Sequence, residues 1–339
     1  MTTAASPGRR PVNRADVARL AGVSLAVVSY VTNGTRPVST ETRERVEGAI
    51  EALGYRPNAI ARALRLGSSR TLGLLIPDSS NPLFAELSRE IESAARRQGL
   101  AVLLTNSYGE AALEREQLRN LVDRQVDGLI VISATPEPDL HGTSDLGVPL
   151  VLLDRVSGMP GVATVGVAFE AGARAAVEHL ALVHGKTRIA AILGSDGAPP
   201  ALARERGWAG ALRDLGMREG RTAREEFTRD GGYRAGLALL SDSERPDAVF
   251  ASSDLQAVGL LRAAHELDVR VPEDVAVVAF DGSRESRFTW PALSVVHQPM
   301  HEIAEAAIEA LLDADNRGEH RVIPTDLIVR ESCGCVSRD

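Results

Sequence analysis

A chain of 339 residues with 44% apolar and 25% charged side chains is long enough for two or three domains and for a sizeable buried core. Its formal charge of −8 would argue against nucleic acid as a partner if it were evenly spread, but it is not. Residues 1–70 hold eleven Arg, no Lys and five acids, a net +6 that leaves −14 for the remainder, so attraction for phosphate is concentrated at one end.

The first eleven residues are rich in Thr, Ala, Ser, Pro and Gly. Arg9-Arg10 is followed by Asn13-Arg14-Ala15-Asp16 and not by an apolar run. That pattern fits neither a Sec nor a twin-Arg export signal, so a disordered tail over 1–11 and a cytoplasmic protein are expected. No stretch reaches the length of an apolar membrane span. Next, Arg14–Ala21 reads as a helix with Val17, Leu20 and Ala21 facing a small core. Gly22 permits a tight turn, Ser24 is placed to cap a second helix over Leu25–Thr32, and Asn33-Gly34 ends it. Ser39 caps a third helix, about Thr40–Leu53, with Val46, Ile50 and Leu53 as its buried stripe and Gly54 past its end. Helix, turn, helix and third helix in the basic segment point to DNA reading. Asn58–Arg65 has helical composition but is under three turns long, hence marginal alone, and Gly67-Ser68-Ser69 reads as a joint.

From Thr71 onward, apolar runs alternate with amphipathic segments. Strands are predicted at Leu72–Ile76, Ala101–Leu104, Leu129–Ile132, Leu150–Leu153, Ile189–Leu193, Ala248–Ala251 and Val275–Phe280. Helices are predicted near 83–98, 110–124, 169–183, 203–215, 233–241, 255–267 and 300–314. Apolar strands each followed by a helix imply parallel sheets covered on both faces, here as two α/β lobes with a cleft between them. Ligands bind beyond the carboxyl ends of such strands, which selects Pro77–Phe84, Asp154, the loop 194–204, Asp254 and Asp281. Cys333 and Cys335 are the only cysteines. Alone they are too few for a zinc site and make no disulfide framework, so reduced thiols, no metal and no cofactor are expected.

Several segments in this order resemble the LacI/GalR family of bacterial transcription regulators. They are Asp16–Ser24, Val38-Ser39 with Thr42-Arg43, Leu53–Arg62, Leu72–Asp78, Asp127–Ile130, Arg204 with Gly207-Trp208, Phe280-Asp281 and His297–Pro299. The resemblance runs from Val12 to Cys333. It implies an α helix-turn-helix headpiece over 12–56, a hinge helix and linker over 57–70, and an effector-binding core over 71–339. That core would be α/β and periplasmic-binding-protein-like (type I), with two doubly wound parallel-sheet lobes. The N-lobe is expected at about 71–160 and 297–324, the C-lobe at about 161–296 and 325–339.

By position, the resemblance puts Leu25, Ala26 and Tyr30 at the main base-reading places. Leu25 and Ala26 cannot hydrogen-bond bases, so they would meet thymine methyls. The alternatives are a core role for Leu25 and a phosphate contact for Tyr30. Asn13, Ser24, Ser29, Asn33 and Thr42 fit phosphate-positioning roles. Leu64 matches a hinge leucine that wedges into the minor groove when two copies pair, with Asn58, Ala61 and Arg62 beside it. In the core, Asp154, Arg204 and Asp281 match effector-binding places, with Phe227 as a stacking aromatic and Phe84 and Asp254 near the same cleft. Capping or inter-lobe ion pairing is the alternative for each carboxylate. Ala198 and Pro200 stand where some members hold polar purine-contacting groups, which favours a carbohydrate effector.

The expected whole is a non-enzymatic homodimeric repressor of palindromic operator DNA, its grip set allosterically by the small effector. Induction and co-repression are both compatible with the residues. Gly185-Lys186-Thr187 resembles the tail of a phosphate loop, but Leu180 stands where the first glycine would be and the segment precedes a strand. A transport binding protein would share the core but carry an export signal and no headpiece.

Overall fold

The computed structural model describes residues 12–33, 36–55, 67–133, 147–156, 160–194, 199–218, 220–241, 244–313 and 318–336. The chain divides into two units, Met1–Ser69 and Arg70–Asp339.

The first unit holds α1 (Arg14–Ala21), α2 (Leu25–Asn33) and α3 (Thr40–Leu53). α1 opens on a capping box: Asn13 Oδ1 accepts the N–H of Ala15 (2.8 Å) and of Asp16 (3.2 Å), while Asp16 Oδ2 accepts that of Asn13 (3.0 Å). Gly22 closes α1 with φ 64°, a left-handed conformation that frees the chain for α2. Ser24 and Ser39 cap α2 and α3 as predicted, each accepting an N–H at 3.3 Å from Val27 and Thr42 respectively. The core consists of Val17, Ala18, Ala21, Val28, Val31, Val46, Ala49 and Tyr55. Two expectations fail here. Leu20 is 56% exposed and Ala18 takes the inward place; on α3, Ala49 is buried while Ile50 and Leu53 only border the core. On α1 the buried face is centred on Ala21, between Val17 and Ala18, and Leu20 falls about 100° to one side of it. Among the described residues no single helix is long and apolar enough to cross a membrane.

The second unit runs β1 (Thr71–Ile76), α4 (Pro82–Arg97), β2 (Ala101–Asn106), α5 (Ala111–Asp123), β3 (Gly128–Ile132), β4 (Leu150–Leu153) and β5 (Ala163–Val167). It continues with α6 (Phe169–Glu178), a π turn (His179–Val183), β6 (Ile189–Leu193), α7 (Pro199–Asp214), β7 (Thr222–Arg224), α8 (Arg229–Leu240) and β8 (Ala248–Ala251). Then follow α9 (Asp254–Glu266), β9 (Ala276–Asp281), β10 (Ser294–His297), α10 (Met300–Leu312), β11 (His320–Ile323) and β12 (Asp326–Ile328).

Two six-stranded sheets result, in the orders β11-β5-β4-β3-β1-β2 and β12-β10-β9-β8-β6-β7. All described pairings are parallel except β10 with β12. Every residue of β3, β5, β6, β8 and β9 is buried, the signature of strands covered on both faces. Burying each such Leu, Ile or Val is worth roughly 1.5–3 kcal/mol.

The chain passes between sheets after β5, after β10 and after β11. The first lobe therefore reaches Val167, past the expected boundary near 160, because β5 pairs with β4 and β11. β5, β7, β10, β11 and β12 were not predicted as strands: β5 is interrupted by Thr164 and Gly166, and the other four have only three or four residues. The helix predicted over 169–183 is α-helical only to Glu178 and finishes as the π turn.

Candidate functional site

Two places carry function-bearing side chains. In the first unit, Leu25 and Ala26 stand exposed at the start of α2, with Leu25 53% exposed, so the core alternative for Leu25 fails. Tyr30 lies one turn on, half-buried, with the Arg36 guanidinium 5.3 Å from its ring centroid. Asn13, Ser24 and Thr42 use side-chain oxygens in the helix starts, since Thr42 Oγ1 also accepts from Ser39 Oγ at 2.8 Å. Among the described residues the Asn13 amide and the Ser24 and Thr42 hydroxyl protons make no other hydrogen bond. Ser29 is half-buried on α2. The Asn33 side chain and all of Asn58, Ala61, Arg62 and Leu64 lie outside the described residues.

In the second unit a cavity of about 690 Å³ opens between the two sheets. Residues of both lobes line it: Phe84 and Asp154 from the first, Arg204, Phe227 and Asp281 from the second. Asp154 follows the end of β4 and Asp281 ends β9, both with positive φ (56° and 112°) that turns the chain sharply at the strand end. Asp281 is a non-glycine residue in a sparsely populated region, a strain that clusters at ligand sites. Arg204, on α7, is buried and points Nη2 at Asp281 Oδ1 (3.4 Å). Its guanidinium carbon lies 4.3, 5.0 and 5.6 Å from the ring centroids of Phe280, Phe169 and Phe227. The rings fix the guanidinium plane and exclude water from it. Arg204 Nε is buried and makes no hydrogen bond among the described residues. Gly194, at the end of β6, makes room for Phe227: a Cβ there would overlap the ring.

Burial pushes the Asp281 carboxyl up to about 8; the Arg204 guanidinium opposes the rise and neighbouring Asp254 and Asp154 add to it. Asp154 is raised by burial against the pull of Arg204 and Arg155. Asp154 and Asp281 share the one Arg204 guanidinium, and burial of both carboxyls disfavours their charged forms.

The first unit matches the model for bacterial regulatory proteins of the lacI family over residues 15–58, and residues 177–333 match a periplasmic binding protein-like domain. The HTH-type transcriptional repressor PurR of Pectobacterium atrosepticum is 35% identical over 304 residues, 88% of this chain and 89% of its own. The chain belongs to the lacI family. The ribose operon repressor of Escherichia coli K12 is likewise 35% identical, covering 88% of this chain and 91% of its own. A crystal structure of the lac repressor dimer bound to operator and the anti-inducer ONPF superposes with a TM-score of 0.85 at 26% identity, covering 96% of this chain and 99% of that one. Its curated relatives are transcriptional repressors, not enzymes. The Gly185-Lys186-Thr187 segment has no phosphate-loop setting, since it links the π turn to β6.

For a lacI-family core, one predicted ligand residue is displaced. Asp254 is buried outside the cavity lining, at the first position of α9, and its Oδ2 accepts the N–H (2.6 Å) and the Oγ–H (2.7 Å) of Ser283. It ties α9 to the turn after β9, and its neighbours Ser253 and Leu255 reach the cleft instead. Pro200 lines the cavity; Ala198 lies outside the described residues. Arg155, Arg229, Tyr108 and Gln298 were missed. Arg155 directly follows a predicted strand-end residue and was legible on that ground. Gln298 directly follows β10, a strand too short to be predicted, and its Nε2 donates to Asp281 Oδ1 at 2.8 Å.

Proposed function

We propose that the protein is a cytoplasmic homodimeric repressor whose hold on a palindromic operator is set by a small polyhydroxylated effector, a carbohydrate, bound between Asp154, Arg204, Phe227 and Asp281. The observation that carries the proposal is the meeting of carboxylates from both lobes with one aromatic-boxed guanidinium in a cavity of about 690 Å³. Carboxylates accept from vicinal hydroxyls, the guanidinium donates to ring or hydroxyl oxygens, and Phe227 offers a face for the apolar side of a sugar ring. Because the ligand touches both lobes, its binding favours one closure angle over another. Arg284 N–H already donates to Glu86 Oε1 across the lobes at 2.6 Å, a contact that closure would make and opening would break.

In the headpiece, Leu25, Ala26 and Tyr30 would read bases, with Asn13, Ser24, Ser29, Asn33 and Thr42 on phosphates. In the hinge helix and linker of 57–70, Asn58, Ala61, Arg62 and Leu64 would enter the minor groove, Leu64 wedging a base step, once two copies hold their hinges together. Leu103 and Leu104 are exposed on edge strand β2, apolar surface that a second copy would cover. A mobility-shift assay against the DNA upstream of the gene, repeated over a panel of sugars, tests the whole proposal. A salt-sensitive, sequence-selective shift altered by one sugar is expected. Asp281→Asn should keep the shift and lose the sugar response; a variant that still responds would remove Asp281 from the site.

A further inference from the structure

Away from the cleft, the fold brings both cysteines to two histidines. His184 Nε2 lies 3.1 Å from His179 Nε2 and 3.4 Å from Cys335 Sγ, and His179 Nε2 lies 3.7 Å from the same sulfur. With Cys333 Sγ included, the four donor atoms all fall within 4.8 Å of one another. A tetrahedron with metal–sulfur bonds of about 2.3 Å and metal–nitrogen bonds of about 2.05 Å has edges of roughly 3.3–3.8 Å. The observed separations straddle that range. None of the four residues lines the cavity between the lobes.

Both backbone arms are shaped for this meeting. In an α-helix, side chains five residues apart point about 140° away from each other. His179–Val183 is instead a π turn, whose widened loop brings positions five apart onto one side, so His179 and His184 converge. On the other arm Gly334 takes φ 102° and turns the chain between the two thiols. A Cβ on Gly334 would crowd the His184 ring, 3.3 Å from Nδ1. The cysteine arm is anchored in the second sheet. Ser332 Oγ donates to the Val277 carbonyl (2.7 Å) and accepts the Ser294 N–H (2.8 Å), and Arg330 Nη1 donates to the Leu293 carbonyl (2.7 Å).

We propose that His179, His184, Cys333 and Cys335 form a closed tetrahedral site for a structural zinc ion that fastens the end of the chain to the π turn after α6. Two imidazoles and two thiolates are a donor set that zinc fills with no open position, which makes the ion structural and not catalytic. On binding, the two thiol protons leave to solvent and nothing is oxidised. The cysteine pair read as insufficient in the sequence acquires its other two ligands about 150 residues upstream, through the fold.

The test uses the full chain, reduced with a non-thiol reductant, incubated with zinc and desalted. About one zinc per protomer is expected, falling at least tenfold in Cys335→Ser and His184→Gln. Both substitutions are at half-buried positions, so they report even where a change at the fully buried Cys333 prevents folding. With cobalt in place of zinc, the wild type should show the visible bands of a tetrahedral site and a thiolate charge-transfer band, and the variants should lose both. Zinc content that is negligible in the wild type or equal in the variants would overturn the proposal. So would a Cys333–Cys335 disulfide that survives reduction.

Discussion

Gln298 Nε2 lies 2.8 Å from Asp281 Oδ1, so the segment by which the chain leaves the second lobe holds the carboxylate that ends β9. The link is doubled by the backbone, with Gln298 N–H donating to the Asp281 carbonyl at 2.9 Å. Gln298 immediately follows β10 of the second sheet and precedes α10, which packs against α4 in the first lobe. The ligand carboxylate and an inter-lobe crossing thus share one buried side chain.

Gln298→Ala should therefore raise the effector concentration needed to alter operator binding by roughly two- to tenfold, since a hydrogen bond to a carboxyl that keeps its proton is worth about 0.5–1.5 kcal/mol. Operator affinity without effector should stay within about twofold. Titration of the mobility shift with effector checks both, and an unchanged midpoint would detach Gln298 from the site.

Asp281 sets a pH dependence. Its carboxyl is raised from 3.8 to about 8, chiefly by burial. Between those values the folded chain keeps a proton that the unfolded chain has released, so this group's contribution is complete at the acid end and drains away as pH rises toward 8. The melting temperature of the unliganded protein should fall from pH 5 to pH 8, and Asp281→Asn should flatten that slope. A slope identical in the variant would show that Asp281 titrates normally.

Much of this was legible in the sequence, and what was not has physical reasons. The long buried strands and the helix caps at Ser24 and Ser39 follow from local pattern and hydrogen-bonding chemistry, which a sequence displays. Asp154 and Asp281 were legible because strand ends point to ligands. Asp254 looked alike in sequence, but its Oδ2 is held by Ser283 on a different loop, a contact fixed only by tertiary packing. Gln298 lay within a family-like segment, but its bond to Asp281 needed the unpredicted β10; the histidines beside Cys335 were invisible because their partners lie about 150 residues away. Leu20 points outward because the buried face of α1 runs through Val17, Ala21 and the small Ala18, a choice between two faces that apolar spacing alone leaves open.

Gly194→Ala probes the aromatic wall. A methyl group at this position would overlap the Phe227 ring, which must then swing out of the cleft. Phe227 is half-buried, so stability should change little, by about 1 kcal/mol or a few degrees of melting temperature. Effector affinity should drop about tenfold with the loss of ring stacking. Calorimetry with the effector measures this; undiminished affinity would mean that Phe227 does not stack on the ligand.

Leu25 separates specificity from fold in the headpiece. It is 53% exposed at the first position of α2, so truncation removes little buried area and Leu25→Ala should fold and melt as the wild type does. An apolar side chain there contributes through contact with thymine methyls and not through phosphate charge. The variant should accordingly bind its operator about five- to tenfold more weakly, while its affinity for random duplex and the slope of binding against salt stay as they were. Equal losses on operator and random DNA would place Leu25 on the backbone, and the base-reading role would pass to Ala26 and Tyr30.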